Sequence, residues 1–133
     1  MFLALALLLV CAGDHPLFIP TDPPPVTVEL DSGWTLAASG RVADAGPQIS
    51  AAGYLAAAPV WHRVSRMPAT VLDALQQDGT YQNVYAGTNL RDAVPQDLYL
   101  QDWWYRTTFE APAGHSTYRL DFPGINYRAE VWL

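Results

Sequence analysis

Alternation of side-chain character in the last third of the chain constrains the fold more than any other feature. The stretch from Trp103 to Phe109 places one set of side chains on one side of an extended backbone, namely Trp103, Tyr105, Thr107 and Phe109. The stretches 118–122 and 127–133 repeat this alternation, and only short proline- and glycine-containing turns separate the three. Because no helix-sized crossover lies between them, the pattern predicts an all-β, antiparallel sandwich of the jelly-roll kind.

Proline and glycine restrict the rest of the chain to short elements. Eleven prolines and nine glycines interrupt long helices and favour segments joined by turns. Residues 26–30 and 34–37 are predicted to form two short strands around a turn. Residues 39–58 are predicted to form loop and irregular strand.

One short helix is predicted near residues 70–78. Thr70 can cap its first turn, and Asp73 stands where it can complete a weak capping box. Gly79 follows at the position where helices commonly end on a left-handed residue. The apolar residues of this helix share one face and need burial, which predicts that the helix plugs one end of the sheet core.

The amino end is interpreted as a signal peptide, residues 1–12, followed by a proline-rich linker, residues 13–25, and a domain over 26–133. Its apolar run is about half the roughly 18 residues that a membrane-spanning helix needs, so no membrane span is predicted. Val10 and Ala12 fit cleavage before Gly13, which predicts a secreted or periplasmic protein. A buried strand or helix at this end is the alternative, because no basic residue precedes the apolar run.

Cys11 is the only cysteine, which excludes an intrachain disulfide and a cysteine-based zinc cluster. Its position in the apolar run allows the alternative hypothesis that the protein is a lipoprotein, with lipid attached to the Cys11 sulfur. Val10 argues against this alternative, since a small residue usually precedes a lipidated cysteine.

Charge and motif content exclude several classes of function. With 13 acidic residues against 7 basic ones, the chain carries a net charge of −6 and offers no basic face to nucleic acid. The three histidines are too dispersed for a metal site, and no serine lies in a Gly-x-Ser-x-Gly elbow. The sequence therefore indicates no metal, no cofactor and no catalytic residue.

Carbohydrate binding has more support, because sugars present apolar C–H faces ringed by hydroxyl groups. The run Asp102 to Arg106 combines two indoles and a phenol with a carboxylate and a guanidinium. Tryptophan in a strand more often fills a core, and that alternative stays open for Trp103 and Trp104. Glycosidic bonds are hydrolysed by paired carboxylates, and three glutamates are available, Glu29, Glu110 and Glu130. They are predicted to lie on the solvent-exposed faces of alternating strands.

The order of several motifs resembles the amino-terminal, galactose-binding-like domain of glycoside hydrolase family 2, over about three quarters of the chain. Within that family the chain is most similar to the exo-β-glucosaminidase, endo-β-mannosidase and β-mannosidase group. The segments that carry the resemblance are 34–36, 49–54, 61–64, 68–72, 79–81, 85–90, 102–106 and 124–133.

The resemblance implies a β-sandwich that precedes an immunoglobulin-like domain and a (β/α)₈ barrel with both catalytic glutamates. The chain has no Asn-Glu dipeptide and ends within a predicted strand, so it is interpreted as a truncated, non-catalytic fragment of a retaining β-glycosidase. Its expected partners are a β-linked glucosamine or mannose glycan and the rest of its own polypeptide.

By position, the resemblance makes four residues candidates for contact with the sugar: Asp102, Trp103, Trp104 and Asn89. Asp102 can accept hydrogen bonds from hydroxyl or ammonium groups, and an indole can stack on a sugar ring. A purely structural role for these side chains stays open, as do two other functions for the chain. These are a free-standing carbohydrate-binding module and a structural interaction domain.

Overall fold

A computed structural model describes residues 22–133, and a three-stranded antiparallel sheet forms its centre. The strands are β1 (Trp34–Ala38), β2 (His62–Val64) and β3 (Trp103–Arg106), in the spatial order β2-β1-β3. Leu36 of the central strand stands opposite His62 on one side and Tyr105 on the other. The all-β, antiparallel class predicted from the sequence is confirmed.

Alternation along β1 and β3 divides the core between the two faces of the sheet. On the first face, Leu36 and Val64 pack with Ala74, Leu75, Val84, Val94 and Leu98, and with the partly buried Trp103 and Tyr105. On the second face, Ala37 packs with Ile49 and Trp61 and with the partly buried Tyr54 and Trp104. The sheet is therefore covered by apolar side chains on both sides.

The predicted helix near 70–78 is confirmed as α2 (Val71–Gln77). The Thr70 hydroxyl accepts a hydrogen bond from the Asp73 amide, and Gly79 adopts the left-handed conformation after the helix end. The Asp73 carboxylate does not complete a capping box. It accepts hydrogen bonds from Gln77 and Arg66 instead.

Gln77 joins the end of α2 to the chain that leaves β2. Its side-chain oxygen accepts hydrogen bonds from the Ser65 amide, the Ser65 hydroxyl and the Arg66 amide, at 2.9, 2.8 and 3.0 Å. Its side-chain nitrogen donates to the Arg66 carbonyl and to Asp73. One side chain thus satisfies backbone groups that no strand pairs, and it fixes α2 against the first face of the sheet.

Helical segments outside 70–78 were not predicted. The range 39–58, predicted as loop and irregular strand, contains a 3₁₀ turn (Ser39–Arg41) and α1 (Gly46–Ser50), which begins with proline at its second position. A further turn of helix, α3 (Asn89–Asp92), and a second 3₁₀ turn (Gln96–Tyr99) lie between α2 and β3. These segments are three to five residues long, which is too short to produce a helical periodicity of apolar residues in the sequence.

Three predicted strands do not form. Residues 26–30, 118–122 and 127–133 have no strand partner within the described part of the chain and are largely exposed. β3 ends at Arg106, three residues before the predicted end at Phe109. Alternation specifies which side chains share a face, but a strand also needs a neighbouring backbone to accept and donate its hydrogen bonds.

Trp132 packs so closely on Gly46 that any side chain at Gly46 would overlap the indole.

Predictions for residues 1–21, which include the signal peptide and Cys11, lie outside the described residues. Among residues 22–133, no helix has the length and apolar character needed to cross a bilayer. The described part of the predicted linker, residues 22–25, is exposed and has no regular structure.

Candidate carbohydrate-binding site

Asp102 stands immediately before β3, where the chain enters the sheet. Its carbonyl oxygen accepts a hydrogen bond from the Ser39 amide at 2.9 Å, which continues the pairing of β1 and β3 by one bond. Its side chain is exposed and makes no hydrogen bond to any residue in the range 22–133. The backbone of Asp102 is therefore fixed by the sheet, while its carboxylate is free to accept hydrogen bonds from a ligand.

Trp103 and Trp104 lie on opposite faces of the sheet. The Trp103 indole packs on the first-face core and donates a hydrogen bond to the Leu98 carbonyl at 3.1 Å. Trp104 packs against the second-face core. Each indole is half-buried, so each combines a packing role with some exposed ring surface, and the two cannot bind the same sugar ring.

Asn89 lies in α3 rather than on the sheet. Its side-chain nitrogen donates a hydrogen bond to the Asn83 carbonyl at 2.9 Å. Across the described residues, no hydrogen bond connects Asn89 to Asp102, Trp103 or Trp104. The structure thus places Trp103 and Trp104 at the start of β3, Asp102 immediately before that strand, and Asn89 on a separate helix.

A cleft of about 690 Å³ lies beside α3 and extends towards the residues that precede β3. We call it the α3 cleft, and its lining residues are Gly87, Thr88, Leu90, Arg91, Val94, Gln96, Tyr99 and Leu100. Asn89 lies in sequence between two of these residues, and Asp102 follows the last of them by two positions. An exposed phenol, a hydroxyl, an amide and a guanidinium in one cleft supply both the flat surface and the hydrogen-bonding groups that sugars need.

A smaller cleft of about 230 Å³ lies beside the second-face core. We call it the Tyr54 cleft, and its lining residues are Arg41, Val42, Ala43, Asp44, Tyr54, Leu55, Ala57, Val60 and Trp61. The Tyr54 hydroxyl donates a hydrogen bond to Asp44 at 3.1 Å, and the Tyr54 ring meets Trp61 edge-on with centroids 5.9 Å apart. None of these residues was a candidate from the sequence. The available signal was the aromatic pair Tyr54 and Trp61 with Arg41 and Asp44 upstream.

Arg106 fixes the Tyr54 cleft from the sheet side. Its guanidinium donates hydrogen bonds to the carbonyls of Ile49 at 2.8 Å and Ala51 at 3.0 Å, at the carboxyl end of α1. It also lies 5.6 Å from the Tyr54 ring centroid, within range of a cation–π interaction. Burial, followed by the hydrogen bond to Asp44 and the charge of Asp44, raises the pKa of Tyr54 above its ordinary value.

Burial also affects Tyr105 on the first face. Its hydroxyl donates a hydrogen bond to the Ala69 carbonyl at 3.2 Å. Burial, with a smaller contribution from the charge of Asp73, raises the pKa of Tyr105 to about 12. Tyr105 is therefore neutral at physiological pH and acts as a packing residue with one satisfied hydrogen bond.

The His62 and Asp78 side chains form a hydrogen bond between β2 and the residue after α2, with 2.5 Å between His62 Nδ1 and Asp78 Oδ2. Desolvation opposes ionisation of Asp78, but hydrogen bonds from Thr80 and His62 outweigh it and lower the pKa of Asp78. Because the folded pKa is lowered, the associated stabilisation is present above the ordinary carboxyl pKa of about 4 and is lost as pH falls through the folded value.

We therefore expect Asp78→Asn to make the free energy of unfolding less dependent on pH in the acid range. The free energy of unfolding of the wild-type chain should fall between pH 5 and the acid end of the titration, and the variant should show less of this fall. Urea unfolding at several pH values measures it. Asp31→Asn is the control, since the Asp31 carboxylate makes no hydrogen bond to residues 22–133. Equal pH dependence in wild type and Asp78→Asn would contradict the expectation.

No group of three or more potential metal ligands occurs among residues 22–133. The histidine and carboxylate that do approach each other, His62 and Asp78, are engaged with one another and with Thr80. The described residues therefore offer hydrogen-bonding and aromatic groups to a ligand.

Comparison with known proteins identifies the domain. The family described as glycosyl hydrolase 2 galactose-binding domain-like matches residues 34–133. The chain belongs to this family. The match begins at the first residue of β1 and includes both clefts, so the sheet and the segments around it are the structure of this galactose-binding-like domain.

Two exo-β-D-glucosaminidases are similar to the chain in sequence. The one from Amycolatopsis orientalis is 32% identical over 101 residues, which cover 76% of this chain and 9% of the relative. The one from Streptomyces avermitilis is 30% identical over 118 residues, which cover 84% of this chain and 13% of the relative. The chain thus spans about a tenth of the length of these relatives. No solved structure matches it.

Proposed function

We propose that this galactose-binding-like domain is the non-catalytic, sugar-contacting part of an exported retaining β-glycosidase. The glycosidase hydrolyses β-linked glucosamine residues, with β-mannosides as the alternative substrate. Two relatives named exo-β-D-glucosaminidase support the glucosaminide, because each aligns with more than two thirds of this chain. In this proposal other domains of the same polypeptide supply the catalytic carboxylates, which agrees with a match to about a tenth of the length of the two relatives.

The observation that carries the sugar-contacting role is the surface between α3 and the start of β3. The Asp102 carboxylate is exposed on a backbone fixed by the sheet, two positions after Leu100 of the α3 cleft. The cleft exposes Tyr99, Thr88, Arg91 and Gln96. A carboxylate on a rigid strand can accept hydrogen bonds from sugar hydroxyls or from the ammonium group of glucosamine. Asn89 fixes the loop before α3 through its bond to the Asn83 carbonyl, and Asn89 thus shapes the cleft.

Replacement of Asp102 tests this role in the complete polypeptide. We expect Asp102→Ala to lower kcat/KM on a glucosamine disaccharide by about tenfold or more, because a charge-assisted hydrogen bond contributes roughly 1.5 to 3 kcal/mol. Asp31→Asn, an exposed carboxylate before β1, is the control. An unchanged kcat/KM for Asp102→Ala would remove Asp102 from the sugar pocket.

Export is part of the same proposal and rests on the apolar run at the amino end. Cleavage after Ala12 gives a mature protein that starts at Gly13, and mass spectrometry of the protein from the culture medium or periplasm measures this. A mature protein that retains Met1, or one that carries lipid on Cys11, would contradict it.

A further inference from the structure

The Tyr54 cleft has the chemistry of a sugar site and lies on the face of the sheet opposite the α3 cleft. Tyr54 and Trp61 pack on the second-face core, whereas Val94 of the α3 cleft packs on the first. A glycan ring bound in one cleft therefore leaves the other cleft open. With a volume of about 230 Å³, the Tyr54 cleft is smaller than the roughly 300 to 1,000 Å³ of pockets for drug-sized ligands, which suits one sugar ring.

Several contacts within the domain fix the orientation of the Tyr54 ring. Tyr54 is held by its hydrogen bond to Asp44, by the edge of Trp61 at an interplanar angle of 73°, and by the Arg106 guanidinium. Arg106 is itself fixed by two carbonyls at the end of α1. A side chain with fixed orientation loses little conformational entropy when it contacts a ligand, and this favours a binding role for Tyr54.

The rim of the cleft carries polar groups of both signs. Arg41 and Asp44 are exposed, and among residues 22–133 the only hydrogen bond to the Asp44 carboxylate is the one from Tyr54. The second carboxylate oxygen and the Arg41 guanidinium are thus available to ligand hydroxyls. Leu55 is 86% exposed beside them and widens the apolar surface. A pyranose ring, with an apolar face and an edge of hydroxyls, matches this arrangement.

We propose that the Tyr54 cleft is a second carbohydrate-binding site, which holds one hexopyranose ring of a β-linked glycan by Tyr54, Asp44 and Arg41. This site binds sugar without cleaving it and anchors the glycan at a distance from the bond that is hydrolysed. It rests on the proposed function only for the choice of glycan.

Binding to the 133-residue chain tests the proposal, with a β-1,4-linked glucosamine tetrasaccharide and the corresponding glucose tetrasaccharide as probes. We expect at least one probe to bind at millimolar concentration in an NMR titration. Asp44→Asn should weaken it about tenfold, since a hydrogen bond to a charged group contributes roughly 1.5 to 3 kcal/mol. Tyr54→Ala should weaken it at least as much, and circular dichroism checks that the variant folds.

Asp31→Asn and Tyr85→Ala are the matched controls, because both side chains are exposed and lie outside the Tyr54 cleft. The absence of binding by both probes, or equal binding by wild type and Asp44→Asn, would overturn the second site. Because Asp44 is exposed on the rim, we expect Asp44→Asn to fold. Asp44→Asn therefore tests the site even if Tyr54→Ala does not fold. Failure of the proposed function is read separately, from kcat/KM of Asp102→Ala in the complete polypeptide.

Discussion

Leu36→Ala is expected to destabilise the domain by about 3 to 4 kcal/mol, within the range measured for leucine truncation in tightly packed cores. Leu36 is 0% exposed at the centre of the middle strand, between His62 and Tyr105 on the neighbouring strands. It contacts the first-face core, to which α2 and the segment 84–98 contribute. Truncation removes apolar contacts and leaves a cavity that strands on both sides prevent from closing.

Leu55→Ala is the matched control for this prediction. The same atoms are removed from a side chain that is 86% exposed, so we expect a change of less than about 0.5 kcal/mol. Urea unfolding of the two variants and the wild type, followed by tryptophan fluorescence, gives the difference in the free energy of unfolding. A similar effect for the two substitutions would show that the first-face core contributes little to stability.

The sequence predicted the elements whose signals are local. Helix α2 has its cap at Thr70, its apolar face and its terminal Gly79 within ten residues, and β1 and β3 lie within stretches whose pattern predicted strands. The strands predicted at 26–30, 118–122 and 127–133 alternate in the same way but have no partner in the described part of the chain. Strand pairing depends on backbones far apart in sequence, and side-chain periodicity carries no information about them.

The candidate site was predicted to a similar extent. Asp102 to Arg106 could be recognised because aromatic and charged residues are consecutive, and the structure places them where β3 enters the sheet. The Tyr54 cleft was not predicted, since Asp44, Tyr54 and Arg106 come together only when α1 folds back on β3. The contact of Arg106 with the end of α1 joins residues more than fifty positions apart in sequence. An arginine that donates hydrogen bonds to the carbonyls of a helix end has no recognisable sequence motif.

Both the fold and the second sugar site depend on Arg106, so its replacement has the second large effect. We expect Arg106→Met to destabilise the domain by about 2 to 3 kcal/mol. It leaves the carbonyls of Ile49 and Ala51 without their charged donor and removes the cation–π contact with Tyr54. Methionine keeps much of the aliphatic stem, so the loss reports chiefly on the guanidinium.

Arg63→Met on β2, the other outer strand of the sheet, is the control, because Arg63 is exposed and its side chain makes no hydrogen bond to residues 22–133. We expect it to change the free energy of unfolding by less than about 0.5 kcal/mol. If Arg106→Met also weakens binding of the tetrasaccharide under conditions where the variant stays folded, the guanidinium holds Tyr54 in position for the sugar. An Arg106→Met variant as stable as Arg63→Met would mean that α1 is held to the sheet by apolar packing of Ile49 alone.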